Sequence, residues 1–146
     1  MALSIRFRRT HPHGQMPTKA HASDAGFDLY VASTHIEHDL QNFVIDFGIA
    51  LEIPVGHVGL LFPRSSIANK TLYMRNSVGV IDSGYRGSIT AKFGKYNTQG
   101  FVYDEFRVGD RAAQLIIIPL PEVQFTEVDA LADSDRSGNG YGSSGL

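Results

Sequence analysis

An all-β domain is the fold class this sequence predicts: a jelly-roll-like sandwich or barrel with at most one short helix. Three observations carry that expectation. Phe43, Ile45, Phe47, Ile49, Leu51 and Ile53 recur at every second position, whereas a helix would need spacings of three and four. The other apolar runs are short and stop at turn residues, as at Pro54-Val55-Gly56, Pro63-Arg64 and Gly109-Asp110. Helical signal is confined to Ser65 and Ser66, which can cap a turn over Ile67 to Lys70.

Taken in order, Leu3, Ile5 and Phe7 alternate with Ser4, Arg6 and Arg8 and predict an opening strand. Residues 11–22 are polar and proline-bearing, a loop. The next strand places Phe27, Leu29 and Val31 on one face, with Asp28 and Tyr30 on the other. The period-two run from Phe43 to Ile53 reads as strand throughout, and His57 to Phe62 returns as another. Val78 to Ile81 and Ser88 to Phe93 flank a glycine-rich turn. Phe101 to Val108 reads as a half-exposed strand. Arg111 to Ile118 follows, with Leu115 to Ile118 expected to be buried on both faces. Glu122 to Val128 supplies a last strand. We expect one domain over residues 1–132 and a separate glycine-rich tail over 133–146.

Composition narrows the function classes. A hydrophobic content of 42% with 19% charged residues reads as globular rather than disordered. A net charge of -2 leaves no basic footprint for nucleic acid or an anionic membrane surface. The absence of cysteine excludes a disulfide framework and thiolate-bound zinc. His35 and His38 lack a third ligand nearby in sequence and read as a solvated loop. With no apolar run of signal-peptide or membrane-span length, the expected location is cytoplasmic.

Candidate chemistry centres on Gly79-Val80-Ile81-Asp82-Ser83-Gly84-Tyr85-Arg86-Gly87. The plain reading is a β-hairpin whose tip carries Asp82 and Tyr85. Such a tip offers main-chain donors and acceptors to a flat polar ring, with an acid alongside. An ordinary turn of Asp-Ser-Gly composition is the alternative. Residues 133–146 read either as a mobile tail or linker, or as a strip that folds onto a nucleotide. For the second use, Arg136 supplies a bidentate phosphate contact and Tyr141 a stacking face. Fully extended, the strip spans about 45 Å at roughly 3.3 Å per residue, enough to reach a neighbouring subunit.

Five segments together resemble, in order, the five motifs of the trimeric-type dUTPase family. They are Ala25-Gly26-Phe27-Asp28-Leu29, Pro63-Arg64-Ser65-Ser66, Asn76 with Gly79 to Gly87, Gly109-Asp110-Arg111-Ala112-Ala113-Gln114, and the tail from Arg136 to Gly145. The resemblance implies hydrolysis of dUTP to dUMP and pyrophosphate, which keeps uracil out of DNA and supplies dUMP for thymidylate synthesis. It implies a jelly-roll-like homotrimer with sites at subunit interfaces, the tail closing over a neighbour's site, and Mg²⁺ held mainly by substrate phosphates and waters.

By the same resemblance, Asp82 is the general base for a water attacking the α-phosphorus. Arg64, Ser65, Ser66, Gln114 and Arg136 take the phosphates, with Gly142 and Ser143 of the tail also contacting substrate. The main chain at Gly79, Val80 and Ile81 takes uracil, helped by the Asn76 side chain. Tyr85 packs on the deoxyribose, leaving no room for a 2′-hydroxyl, and Tyr141 stacks on uracil. Asp28 supports the site indirectly. Arg111 reads as an ion-pair partner, while Gln114 is open between substrate and backbone. The chain departs from the family pattern at Ser66, Gly84, Ser137 and Tyr141, and none of these removes a reacting group.

Two rivals stand beside this reading. A dCTP deaminase, or a bifunctional deaminase–dUTPase, needs a glutamate in the strand after the turn, where this chain has Lys92. The other rival is a regulatory nucleotide-binding protein on the same scaffold, and a regulatory protein partner is compatible with the sequence.

Overall fold

The computed structural model describes residues 2–37, 42–95, 106–134 and 138. Its strands are β1 (Arg6–Arg9), β2 (Phe27–Tyr30), β3 (Ser33–Glu37), β4 (Asn42–Asp46), β5 (Ile49–Glu52), β6 (His57–Pro63), β7 (Leu72–Met74), β8 (Gly79–Ile81), β9 (Thr90–Lys95) and β10 (Arg111–Pro119). They form two four-stranded sheets, ordered β2-β10-β6-β8 and β3-β4-β9-β7, and a β1-β5 ribbon. Every pairing is antiparallel. The all-β expectation therefore holds. Leu29, Leu61, Ala113 and Leu115 from the first sheet meet Ile45, Ala91, Phe93 and Met74 from the second in one buried cluster. Each large side chain buried there contributes about 1.5–3 kcal/mol.

The period-two run does not form one strand. It breaks at Gly48, whose φ of +65° only glycine adopts readily, and a Cβ there would lie 2.5 Å from the Ala32 Cβ. The Asp46 carboxylate caps this bend by accepting from the Gly48 N–H at 2.7 Å. So β4 stays in one four-stranded sheet while β5 leaves to pair with β1. Alternation continues through the bend because both halves keep an inward face.

Other expectations are corrected in the same way. The opening strand begins at Arg6 rather than Leu3. The short helix is a single 3-10 turn over Ser65–Asn69, with Arg64 at the cap position and no side-chain cap bond. Strands β8 and β9 do not make a hairpin: β8 pairs with β6, and β9 with β4 and β7, so the chain crosses between sheets. In β10, Leu115 is buried, but Ile116 and Ile117 are half-buried and Ile118 is exposed, because the far end of the strand is covered on one side only. Residues 122–128 form no strand. They carry the exposed Val123, Phe125 and Val128, with Phe125 94% exposed, and pair with no strand among the described residues. Of the expected 101–108 strand, residues 101–105 lie outside the described residues, and Phe106 to Val108 are not strand. His38 also lies outside them. No helix among the described residues is long and apolar enough to cross a membrane.

Candidate active site

Sequence spacing puts Asp28 and Tyr30 on the same face of β2, and pairing with β10 brings that face beside Gln114 and Arg111. Asp28 is only 13% exposed at its side chain and accepts from two guanidinium groups. Arg64 donates through Nε to Oδ1 at 2.7 Å, and Arg111 through Nη1 to Oδ2 at 3.1 Å. One carboxylate thus orients two arginines from different strand ends. Each guanidinium keeps further N–H groups for an anion. Between them opens a cleft of about 410 Å³ lined by Tyr30, Arg64, Ser66, Lys70, Phe106 and Arg111, together with Gly109 and Asp110. Ser65 and Ser66 are exposed at the start of the 3-10 turn.

Gln114 donates through Nε2 to the Pro63 carbonyl at 3.0 Å, bracing β10 against the end of β6. Gly26 lies directly beneath it, where a Cβ would come within 2.7 Å of Gln114 Oε1. The Asn76 side-chain oxygen accepts from the Lys92 N–H at 3.1 Å, tying the entry to β8 onto β9. Strand β8 is at the edge of its sheet, so alternate main-chain groups of Gly79 to Ile81 point away from β6. Val80 is 62% exposed there. Asp82 follows at the strand end, exposed, and its carboxylate has no hydrogen bond or ion pair among the described residues. The turn is closed by Tyr85 N–H donating to Asp82 O at 3.0 Å. Arg86 Nη1 donates to Ser83 O at 2.6 Å and to Tyr85 O at 2.9 Å.

Register decides how these groups relate. Pro63 of β6 lies opposite Ala113, whereas Gly59 lies opposite Ile81. Asp82, one residue beyond Ile81, is therefore level with Val58. Six residues separate that level from Arg64, about 20 Å at roughly 3.3 Å per residue. Within one chain the structure gathers Asp28, Arg64, Ser66, Arg111 and Gln114 at one end of the sheet and leaves Asp82 and Tyr85 at the other. Arg136, Tyr141, Gly142 and Ser143 lie outside the described residues.

Residues 12–145 match the dUTPase family profile. The chain belongs to the dUTPase family. It is 39% identical over 142 residues to the deoxyuridine 5'-triphosphate nucleotidohydrolase of Nocardia farcinica, covering 97% of this chain and 85% of that protein. The enzyme of the same name from Rhodococcus erythropolis is 40% identical over 144 residues, 98% and 87% of the two chains. Among solved structures, a Staphylococcus bacteriophage 80alpha dUTPase with dUpNHpp superposes with a TM-score of 0.81 at 26% identity, covering 99% of this chain and all of that one. A mutant dUTPase of phage phi11 of S. aureus, described for its coordination of a structural Mg(II) ion, gives 0.73 at 26% identity over 88% and 98%.

Three groups at this dUTPase's cleft escaped sequence reasoning: Tyr30, Lys70 and Phe106. Tyr30 had a signal, since it shares a strand face with Asp28. Lys70 lies over the Phe106 ring at 4.5 Å, a contact between a turn and a distant segment that no spacing announces.

Proposed function

We propose that this dUTP diphosphatase builds each active site from different copies of itself, in a homotrimer. The observation that carries the proposal is the separation of about 20 Å along the sheet between Asp82 and the arginine cleft, inferred from strand rise. A base and the phosphate it serves must lie within a water's width of each other. One chain does not meet that requirement; the Asp82 end of one copy set against the cleft of another does.

In such a site the uracil ring lies on the free edge of β8, where main-chain groups discriminate its polar edge, with the Asn76 amide nitrogen alongside. Tyr85 walls the deoxyribose. Overlap with an added 2′-hydroxyl or thymine methyl then rejects the wrong nucleotide. Arg64 and Arg111, held by Asp28, face the triphosphate with Ser65 and Ser66, and Gln114 holds the cleft floor in place. Asp82, exposed and without a partner among the described residues, takes a proton from the water that attacks the α-phosphorus as the bond to the pyrophosphate oxygen breaks. General base catalysis of this kind contributes roughly 10²–10⁴-fold. Positioning and charge neutralisation supply the rest. Arg136, Tyr141, Gly142 and Ser143 close the site as a neighbour's tail.

The donor set suits a Mg²⁺ carried in by substrate. No group of three His, Cys, Asp or Glu stands together among the described residues, and Asp28 is committed to arginines. A magnesium ion that keeps its waters and binds phosphate oxygens needs no protein cage. Bound there, it supplies charge neutralisation to the triphosphate.

Two measurements test this reading. Pyrophosphate release with Mg²⁺ should be fast for dUTP and slow for dTTP, UTP and dCTP; ammonia release from dCTP would instead favour the deaminase. Asp82→Asn and Arg64→Gln should each be inactive alone, Asp82→Asn with nucleotide binding retained. Mixed trimers of the two should regain activity, because some sites then combine an intact acid with an intact cleft. A fully active monomer, or mixed trimers with no recovery, overturns the shared site.

A further inference from the structure

The Tyr85 loop is held from behind by residues that no motif contains. Tyr85 Oη donates to the Ser88 carbonyl at 3.0 Å, so the ring folds back across the loop instead of extending from it. Gly87 permits this: a Cβ there would lie 2.3 Å from Tyr85 Oη. The Ser88 hydroxyl donates to Asp46 Oδ1 at 2.5 Å, the same oxygen that caps the Gly48 bend. With its single proton given to the carboxylate, Ser88 Oγ is left as the acceptor for Thr10 Oγ1 at 2.7 Å. Main-chain bonds run on both sides of this junction, from Phe47 N–H to Ile89 O at 3.0 Å and from Ile89 N–H to Ile49 O at 2.8 Å.

The geometry points to Ser88 and Asp46 as positioning residues for nucleotide selectivity, fixing the Tyr85 ring at the height that separates deoxyribose from ribose. The chain of contacts is continuous: the β4–β5 bend, through Asp46, holds Ser88, and Ser88 holds the tyrosine hydroxyl. Asp46 lies 36 residues before Asp82 and touches no group proposed to meet substrate, so its effect reaches the sugar only through the loop. This inference rests on the reading of Tyr85 as the sugar wall. A half-buried carboxylate accepting from both a hydroxyl and a main-chain N–H is a strong anchor, because bonds to a charged acceptor are roughly twice as strong as neutral ones.

The test compares kcat/KM for dUTP and for UTP in Ser88→Ala, Asp46→Asn, Ser88→Thr and Tyr85→Ala, each with its Tm. Ser88→Ala is expected to lower the dUTP-to-UTP preference about tenfold, mainly through faster turnover of UTP, with dUTP kcat changed less than threefold. Ser88→Thr keeps the hydroxyl and should restore the preference. A Ser88→Ala protein that is less stable but equally selective overturns the inference, as a purely structural role predicts that outcome. If Ser88→Ala does not fold, Asp46→Asn decides the matter by the same ratio, since it retains an acceptor for the hydroxyl but loses the charge. Tyr85→Ala separates the sugar wall from its support. Unchanged selectivity in that variant overturns the sugar-wall reading itself, whereas lost selectivity there with full selectivity in Ser88→Ala and Asp46→Asn overturns only the positioning role.

Discussion

Replacing Asp28 by Asn is the most informative single perturbation of the arginine cleft. The substitution keeps the shape but removes the charge that two guanidinium groups share. The Arg64 bond, at 2.7 Å, is well shielded; the Arg111 bond, at 3.1 Å, joins a side chain that is 46% exposed. Hydrogen bonds to charged partners contribute about 1.5–3 kcal/mol, and a half-exposed pair only about 0–1. Asparagine preserves one weakened bond through its oxygen, while its NH₂ faces the other arginine, donor against donor. The net loss is about 2 kcal/mol, which for a domain of this size lowers Tm by roughly 4–8 °C. Activity should suffer more than stability. The two arginines, proposed to face one anion, lose their common reference, and misplacement by about 1 Å can cost 10²-fold. We expect kcat/KM for dUTP to fall about 10–100-fold in a pyrophosphate-release assay, with most of the protein still folded at 25 °C. A variant within twofold of wild type in kcat/KM would refute the orienting role, and a lowered Tm with full activity would reduce Asp28 to a structural ion pair.

Other outcomes follow from neighbouring geometry. Gly84 has open space where a Cβ would stand and no positive φ, so Gly84→Ala should stabilise the protein by about 0.4–1 kcal/mol through the unfolded chain, read as a raised Tm. Gly87→Ala should do the reverse: its methyl occupies the path of the Tyr85 hydroxyl, displacing the ring and raising KM for dUTP. Glu37 is held below its ordinary carboxyl range by hydrogen bonds from Lys92 and Asn42, against a smaller opposing effect of desolvation. Because its folded pKa is depressed, its contribution is complete above the unfolded value and is lost as pH falls through the folded one. Tm measured from pH 7 down to pH 3 should therefore drop more steeply in wild type than in Glu37→Gln, and parallel curves would dismiss the Lys92–Glu37 pair. Removing residues 134–146 should cut turnover severely while leaving the proposed trimer assembled in size-exclusion chromatography; an unaffected rate would make the tail a linker.

Legibility in the sequence followed the range of the interaction. The strand at Phe27–Tyr30 was readable because its inward and outward residues alternate over four positions, and the 3-10 turn because Pro63 and the serines mark it locally. The hairpin expectation failed at β8 and β9 for a different reason. Two short apolar segments flanking a turn look alike whether they pair with each other or with distant strands, and here β6 and β4 win each partner. The break at Gly48 was hidden because a bend between two sheets preserves period two. The apolar residues at 123–128 mimic a strand, because alternation shows only that a segment could pair, and among the described residues no strand pairs with it.

Local chemistry alone determined the strand-rich architecture and the kinship with dUTPases, since each depends on residue type and near-neighbour order. Tertiary structure decided which groups meet. Asp28 joins Arg64 and Arg111 across 36 and 83 residues, and Asp46 reaches Ser88 across 42. It also set Asp82 at the opposite end of the sheet from the cleft, because antiparallel register fixes position along a strand and turn composition carries no information about register.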